Sequence, residues 1–249
     1  MGHNRSRLQV SIITTFFLLL PWAAHAQTRA DASVTKDIRA ILKKAPKGKS
    51  YRAEFDQILS YGEKAAPSLA EIFADARVDW NERWICAMAL ARYRAPVSRR
   101  ALEKGLKDSF PTIRMASAKA LGFMGGTESA PFLRKAIGDE AMVVRSAVVQ
   151  ALGQIRDEAS VPVLAKEFVA KRNFNQGKSF WVREDILEAL GTIGSRDAVP
   201  TLKKALAEKE EPIQMRACKA MVKIDPQAAG KLKHATGKRC AEAWLEALK

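Results

Sequence analysis

Four lysines recur at one spacing. Lys104, Lys135, Lys166 and Lys204 each stand two residues after a leucine, namely Leu102, Leu133, Leu164 and Leu202. A repeated row of ammonium groups is chemistry for holding anions, because its summed field attracts polyanions and acidic proteins. Arg134 and Lys203 thicken the row, and Arg99, Arg100 and Lys107 lie near its start. The competing reading is a solvated helix face, the ordinary fate of charged rows.

Arginines form a second periodic set: Arg83, Arg114, Arg145 and Arg183, with Gln214 at the next equivalent place and Arg216 near it. Such a ladder could grip an anionic ligand. However, Asp108 precedes Arg114, and Asp139 precedes Arg145, at the same short interval. A five-donor guanidinium can bridge neighbouring units or satisfy loop carbonyls, so the structural role is preferred.

The third cluster is aperiodic. The stretch Ala170 to Ser179 carries Lys171, Arg172, Phe174 and Lys178, with Phe180 and Trp181 beside it. Basic residues interleaved with aromatics suit sugars, anionic polymers or a partner peptide. A loop extension with Phe180 and Trp181 buried in the following helix is an equal alternative. Three cysteines complete the inventory. Cys86, among Ile85, Ala87 and Met88, reads as a buried free thiol. Cys218 and Cys240 are a possible disulfide tying the C-terminal helix to the last repeat.

Other chemistries lack their residues. There is no Gly-x-Ser-x-Gly elbow and no phosphate-cradling glycine loop. A tetrahedral zinc site needs clustered Cys and His, whereas Cys86 stands far along the chain from Cys218 and Cys240.

These groups need elements to position them. Arg5 and Arg7, the apolar run Val10 to Leu20, and Ala24-His25-Ala26 describe a secretory signal peptide cleaved near Ala26. Its removal leaves no apolar segment long enough for a transmembrane anchor, and leaves His234 as the one histidine.

Beyond it, the chain aligns with itself at a period of about 31 residues. Pro111 to Ala141, the block from Met142 and the block from Trp181 superpose, the last after an insertion of about seven residues. A block from Trp80 and a more divergent one over Tyr51 to Asp79 precede them; another starts at Pro212. Each unit predicts two helices. Val144, Ala147, Val148, Ala151 and Leu152 follow the helical period. Gly122, Gly153 and Gly191 read as left-handed helix ends, with Gly125 and Gly194 three further on. Pro131, Pro162 and Pro200 open the second helices, where a missing N–H costs nothing. One hairpin cannot bury both apolar faces, so the units must stack.

The run Val144-Arg145, Ala151-Leu152-Gly153, Val161-Pro162 resembles bacterial HEAT repeats of the phycobilisome-lyase-like type, from about Tyr51 to Ile224. The resemblance implies an all-α, right-handed α-solenoid of about five to six hairpins. It also implies an internal Asp and Arg ladder, and a second helix on the concave side, which would make the lysine row a positive groove. The expected organisation is signal peptide 1–26, N-terminal capping helix and linker 27–50, and solenoid with C-terminal capping helix 51–249.

The chain has 249 residues, is 47% hydrophobic and 7% aromatic, and carries a net charge of +15. That charge is a nucleic-acid footprint, but export argues against a genomic role. The expected function is an exported, periplasmic or secreted monomeric scaffold or adaptor. Its partner is a protein or an anionic envelope polymer, held by the lysine row and the insertion. No cofactor and no enzymatic activity are expected; some HEAT enzymes hold di-iron with His-Glu pairs, and His234 is followed by alanine. The alternative is an enzyme or enzyme subunit of the phycobilisome-lyase-like family, a lyase or oxidoreductase.

Overall fold

The computed structural model describes residues 29–45, 51–231 and 237–248. The signal segment and His234 lie outside the described residues. Helix α1 (Ala32–Lys44) precedes a run of hairpins: α2 (Arg52–Leu59) with α3 (Ala66–Ala74), α4 (Trp80–Tyr93) with α5 (Pro96–Gly105), and α6 (Pro111–Met124) with α7 (Ala130–Ala136). Next come α8 (Met142–Gln154) with α9 (Val161–Phe168), α10 (Trp181–Ile193) with α11 (Val199–Leu206), and α12 (Glu211–Ile224) followed by α13 (Pro226–Lys231) and α14 (Gly237–Ala247). The architecture is an all-α solenoid.

Local chemistry sets these boundaries. Asp31 and Asp79 cap α1 and α4 by accepting backbone N–H bonds from Ser33 and Asn81, satisfying donors that the first turn leaves orphaned. Proline stands in the first turn of α5, α7, α9 and α11. Leu102, Leu133, Leu164 and Leu202 are fully buried, each contributing on the order of 2 kcal/mol of burial.

The glycines divide differently from expectation. Gly194 ends α10 in the left-handed region at φ 81°, and Gly125 ends α6 at φ 70°. Gly122, Gly153 and Gly191 instead lie inside first helices, where they let neighbouring backbones approach. A Cβ on Gly153 would stand 3.0 Å from Ala189 Cα, and one on Gly191 would stand 2.6 Å from Ala220 Cα. A glycine that follows an apolar run carries either meaning in sequence; only the distance to the next unit distinguishes them.

This close approach makes the two layers unequal. The first helices α4, α6, α8, α10 and α12 pack in an unbroken series. Among the second helices α3 packs on α5, but α5, α7, α9 and α11 make no comparable contact with one another. A two-layer array bends towards its more closely spaced layer, so the first helices line the inner side and the second helices the outer side.

The insertion is ordered structure. After a single helical turn at Lys171–Asn173, strands β1 (Phe174–Asn175) and β2 (Lys178–Ser179) form a small antiparallel hairpin. Gln176 and Gly177 form its tip with φ of 48° and 78°, the two positive values that a two-residue hairpin turn of the mirror-image type requires.

Candidate functional site

The arginine ladder is buried and internal. Arg83 donates to Phe73 O at 2.8 Å and pairs with Asp108 of the next interunit loop. Arg114 holds Asp139 in a fork at 2.7 and 2.9 Å, and reaches back to Asp108 O at 2.8 Å. Arg183 holds Glu208 at 2.6 and 2.9 Å and donates to Phe168 O at 2.9 Å. Each guanidinium thus binds a carbonyl behind it and a carboxylate ahead of it. Where the ladder reaches Gln214, the amide nitrogen still caps Glu208 O at 2.7 Å.

One rung is different. Arg145 donates to Asn173 Oδ1 at 3.0 Å and to Asp139 O at 2.7 Å, with Glu167 only within 3.9 Å. Asn173 is fully buried and also donates to Glu167 Oε1 at 2.9 Å. The contrast shows in the basicity of the two arginines. The hydrogen bond to Asp139 raises the pKa of Arg114, whereas burial lowers that of Arg145 despite Glu167.

The insertion therefore serves the scaffold. Arg172 pairs with Glu167 at 3.1 Å. Phe174 and Phe168 sandwich the Arg183 guanidinium, with ring centres 4.2 and 4.1 Å away. Ser179 bonds Glu210 through both its N–H and its hydroxyl. Of the residues singled out in this stretch, Lys171 and Lys178 are exposed, while Arg172 and Phe174 are engaged within the array.

The lysine row is exposed. Lys104, Lys135, Lys166 and Lys204 all face solvent on α5, α7, α9 and α11, and none is among the ion pairs of the described residues. Two of its flanking arginines are committed: Arg99 pairs with Glu128 at 3.3 Å, and Arg134 pairs with Asp157. The concave placement expected for this row is corrected. The second helices form the more widely spaced outer layer, so the lysines make a basic outer face rather than a groove.

The inner face carries residues that charge and repeat reading passed over. Counting one, five and nine residues from each ladder position gives Trp84, Met88 and Arg92; Met115, Lys119 and Phe123; Ser146, Gln150 and Gln154; and Glu184, Glu188 and Thr192. This spacing of four places them on one face of each first helix, which was the signal available in the sequence. Between α4, α6 and α8, Met88, Arg92, Lys119, Phe123, Gln150 and Gln154 border a groove of about 520 Å³, floored by Ala91, Ala120, Ala147 and Ala151. Arg92 lies 4.9 Å from the centre of the half-exposed Phe123 ring, and Lys119 lies 5.9 Å from that of Trp84. Further along, Asp185 accepts from Ser146 at 2.5 Å and Gln150 at 3.2 Å, and Arg216 pairs with Glu188 at 2.8 Å.

Cys218 and Cys240 are bonded, with Cα atoms 6.2 Å apart, tying α14 to α12. Cys86 is a buried free thiol, and burial pushes its pKa well above the usual thiol range. Among the described residues, no three His, Cys, Asp or Glu side chains are placed to hold a metal ion. No helix among them is long and apolar enough to cross a membrane.

Stacked hairpins joined by an internal arginine ladder define a helical-repeat solenoid. The family model for HEAT repeats matches residues 66–142, 125–174 and 174–248, and the chain belongs to the HEAT-repeat family. No curated protein matches it. Among solved structures it is similar to the complex of CpcE and CpcF of phycocyanin lyase from Nostoc sp. PCC7120, with 24% identity, a TM-score of 0.57, and coverage of 68% of this chain and 69% of that one. A looser likeness, at 16% identity and a TM-score of 0.39, covers 83% of this chain and all of human deoxyhypusine hydroxylase. The expectation that the chain is not an enzyme is corrected: its fold is shared with the CpcE and CpcF complex of phycocyanin lyase, so the missing sequence motifs do not exclude catalysis.

Proposed function

We propose that this chain is an exported HEAT-repeat adaptor that binds an anionic macromolecule, a protein or an envelope polymer, through the outer lysine row. The observation that carries this reading is the row itself. Lys104, Lys135, Lys166 and Lys204 are exposed at one repeat position and have no carboxylate partner among the described residues. Structural demands absorb the other periodic cations, Arg83, Arg114, Arg145 and Arg183, in buried ion pairs and hydrogen bonds. A free row repeated over four units steers a long anion better than scattered charge does.

Export is supported by the leader signature of Arg5, Arg7, Val10 to Leu20 and Ala24 to Ala26. The Cys218–Cys240 bond fits an oxidising compartment, and the periplasm is the address proposed here.

Binding to heparin, a soluble polyanion used as probe, tests the row. Lys135→Glu, Lys166→Glu and Lys204→Glu together should elute the protein at markedly lower salt with unchanged helicity. Unchanged elution would remove the row from the account.

A second reading rests on the likeness to the CpcE and CpcF complex. In it, the array is the protein-binding subunit of an enzyme assembly. Co-purification of a partner whose catalytic turnover rises on adding the chain would favour it.

A further inference from the structure

We infer that the inner groove between α4, α6 and α8 binds an acidic peptide segment that also carries apolar side chains. This surface is separate from the outer lysines.

Three features of the groove specify that chemistry. The first is unspent positive charge. Arg92 and Lys119 are exposed at its edge and have no carboxylate partner among the described residues. Each instead lies near an aromatic ring, Phe123 and Trp84 respectively. A cation held against an aromatic face is oriented yet keeps its remaining donors for a carboxylate.

The second is an apolar floor. Ala91, Ala120, Ala147 and Ala151, with Met88 and Phe55, line the cavity, and the alanines fit where the first helices approach closely. A hydrated sugar acid or phosphate gains nothing there, whereas a leucine or valine side chain loses water-exposed surface.

The third is the amide lining of the α8 wall, where Gln150 and Gln154 stand exposed. Gln150 spends its N–H donors on Ser146 and Asp185 and keeps its oxygen as an acceptor, while Gln154 offers a primary amide, donor and acceptor together, the complement of a peptide backbone. Beyond them the sign of the face changes, but Glu188 is held by Arg216 and Asp185 by Ser146 and Gln150. Arg216 also pairs with Glu184, so that far end keeps an acidic excess, and a ligand's carboxylates belong at the basic aromatic end.

The test is calorimetric titration of the purified protein with three acetylated peptides of equal length: alternating Glu-Leu, alternating Lys-Leu, and poly-Glu. The Glu-Leu peptide should bind at least tenfold more tightly than poly-Glu, and the Lys-Leu peptide should not bind. Arg92→Gln with Lys119→Gln should weaken Glu-Leu binding at least tenfold, while Lys135→Glu with Lys166→Glu leaves it unchanged. These surface changes should leave the circular dichroism intact. No binding of the Glu-Leu peptide, equal binding of poly-Glu, or loss of binding in the outer variant would each overturn the inference. The outer variant also separates it from the lysine-row reading, which fails or stands on heparin.

Discussion

Arg145 Nε donates to the side-chain oxygen of Asn173 at 3.0 Å, at the one rung where the arginine ladder meets an amide instead of a carboxylate. Arg83, Arg114 and Arg183 each face an acid from the following loop. The insertion thus replaces an interunit carboxylate with a buried amide, which at the same time ties Glu167 into the rung.

Asn173→Ala should therefore destabilise the array more than any exposed change in the hairpin. It leaves a buried guanidinium N–H and a buried carboxylate oxygen short of a partner, at a cost of about 2 kcal/mol. Urea unfolding of Asn173→Ala beside Lys178→Ala measures the contrast; equal midpoints would remove the structural role assigned to the insertion.

The close approach of first helices gives a sizing test. Alanine gains about 1 kcal/mol over glycine inside a helix, but overpacking a filled interface costs about 1–3 kcal/mol. At Gly191 the new Cβ would meet Ala220 Cα at 2.6 Å, so the steric cost wins and Gly191→Ala should lower the melting temperature. At Gly153 the corresponding distance is 3.0 Å and the loss should be smaller. Gly230→Ala, with nothing within 4 Å of its Cβ, should lose nothing. Melting curves of the three variants give the order.

Thiol chemistry checks the C-terminal cap. The bond between Cys218 and Cys240 closes a loop with a separation of 22 residues, for which chain entropy predicts about 3 kcal/mol. Alkylation should find no reactive thiol in the native protein, one after unfolding, and three after unfolding with reduction, because Cys86 is buried with its pKa driven up. Cys240→Ser should free α14 for proteolysis while α4 to α11 stay protected.

Asp185 gives a pH signature. Burial raises its pKa, outweighing hydrogen bonds from Ser146 and Gln150. A raised folded-state pKa means the native state favours the protonated form. The stabilisation is then present below the unfolded-state value and is lost as pH rises through the folded-state value. Asp185→Asn removes that loss, so the variant should gain on wild type as pH rises through the folded-state value, as read from urea midpoints. A difference independent of pH would contradict the assignment.

The repeat made most of the architecture legible. Leu133, Leu164 and Leu202 declared the buried stripe of the second helices, and the prolines declared where those helices open. The spacing of Arg83, Arg114, Arg145 and Arg183 declared the ladder, because identical interfaces impose identical residues. What stayed hidden depends on the distance between units. Gly153 and Gly191 could be helix ends or contact points until Ala189 and Ala220 are seen against them. That same contact decides which layer is inner, and so places Lys135 outside and Lys119 inside. The insertion was legible only as a composition. Its mixture of bases and aromatics does not tell a binding loop from a structural one, and the stack of Phe174 on the Arg183 guanidinium is seen only in three dimensions.

The proposed function turns on the outer lysine row. The direct measurement is affinity capture from the cell-envelope extract with wild type and with Lys104→Glu, Lys135→Glu, Lys166→Glu and Lys204→Glu combined, at low and high salt. Wild type should retain one stoichiometric anionic partner at low salt and less of it at high salt, since exposed charge is screened. The reversed variant should retain none. Equal capture by both proteins, with both fully helical, would contradict it.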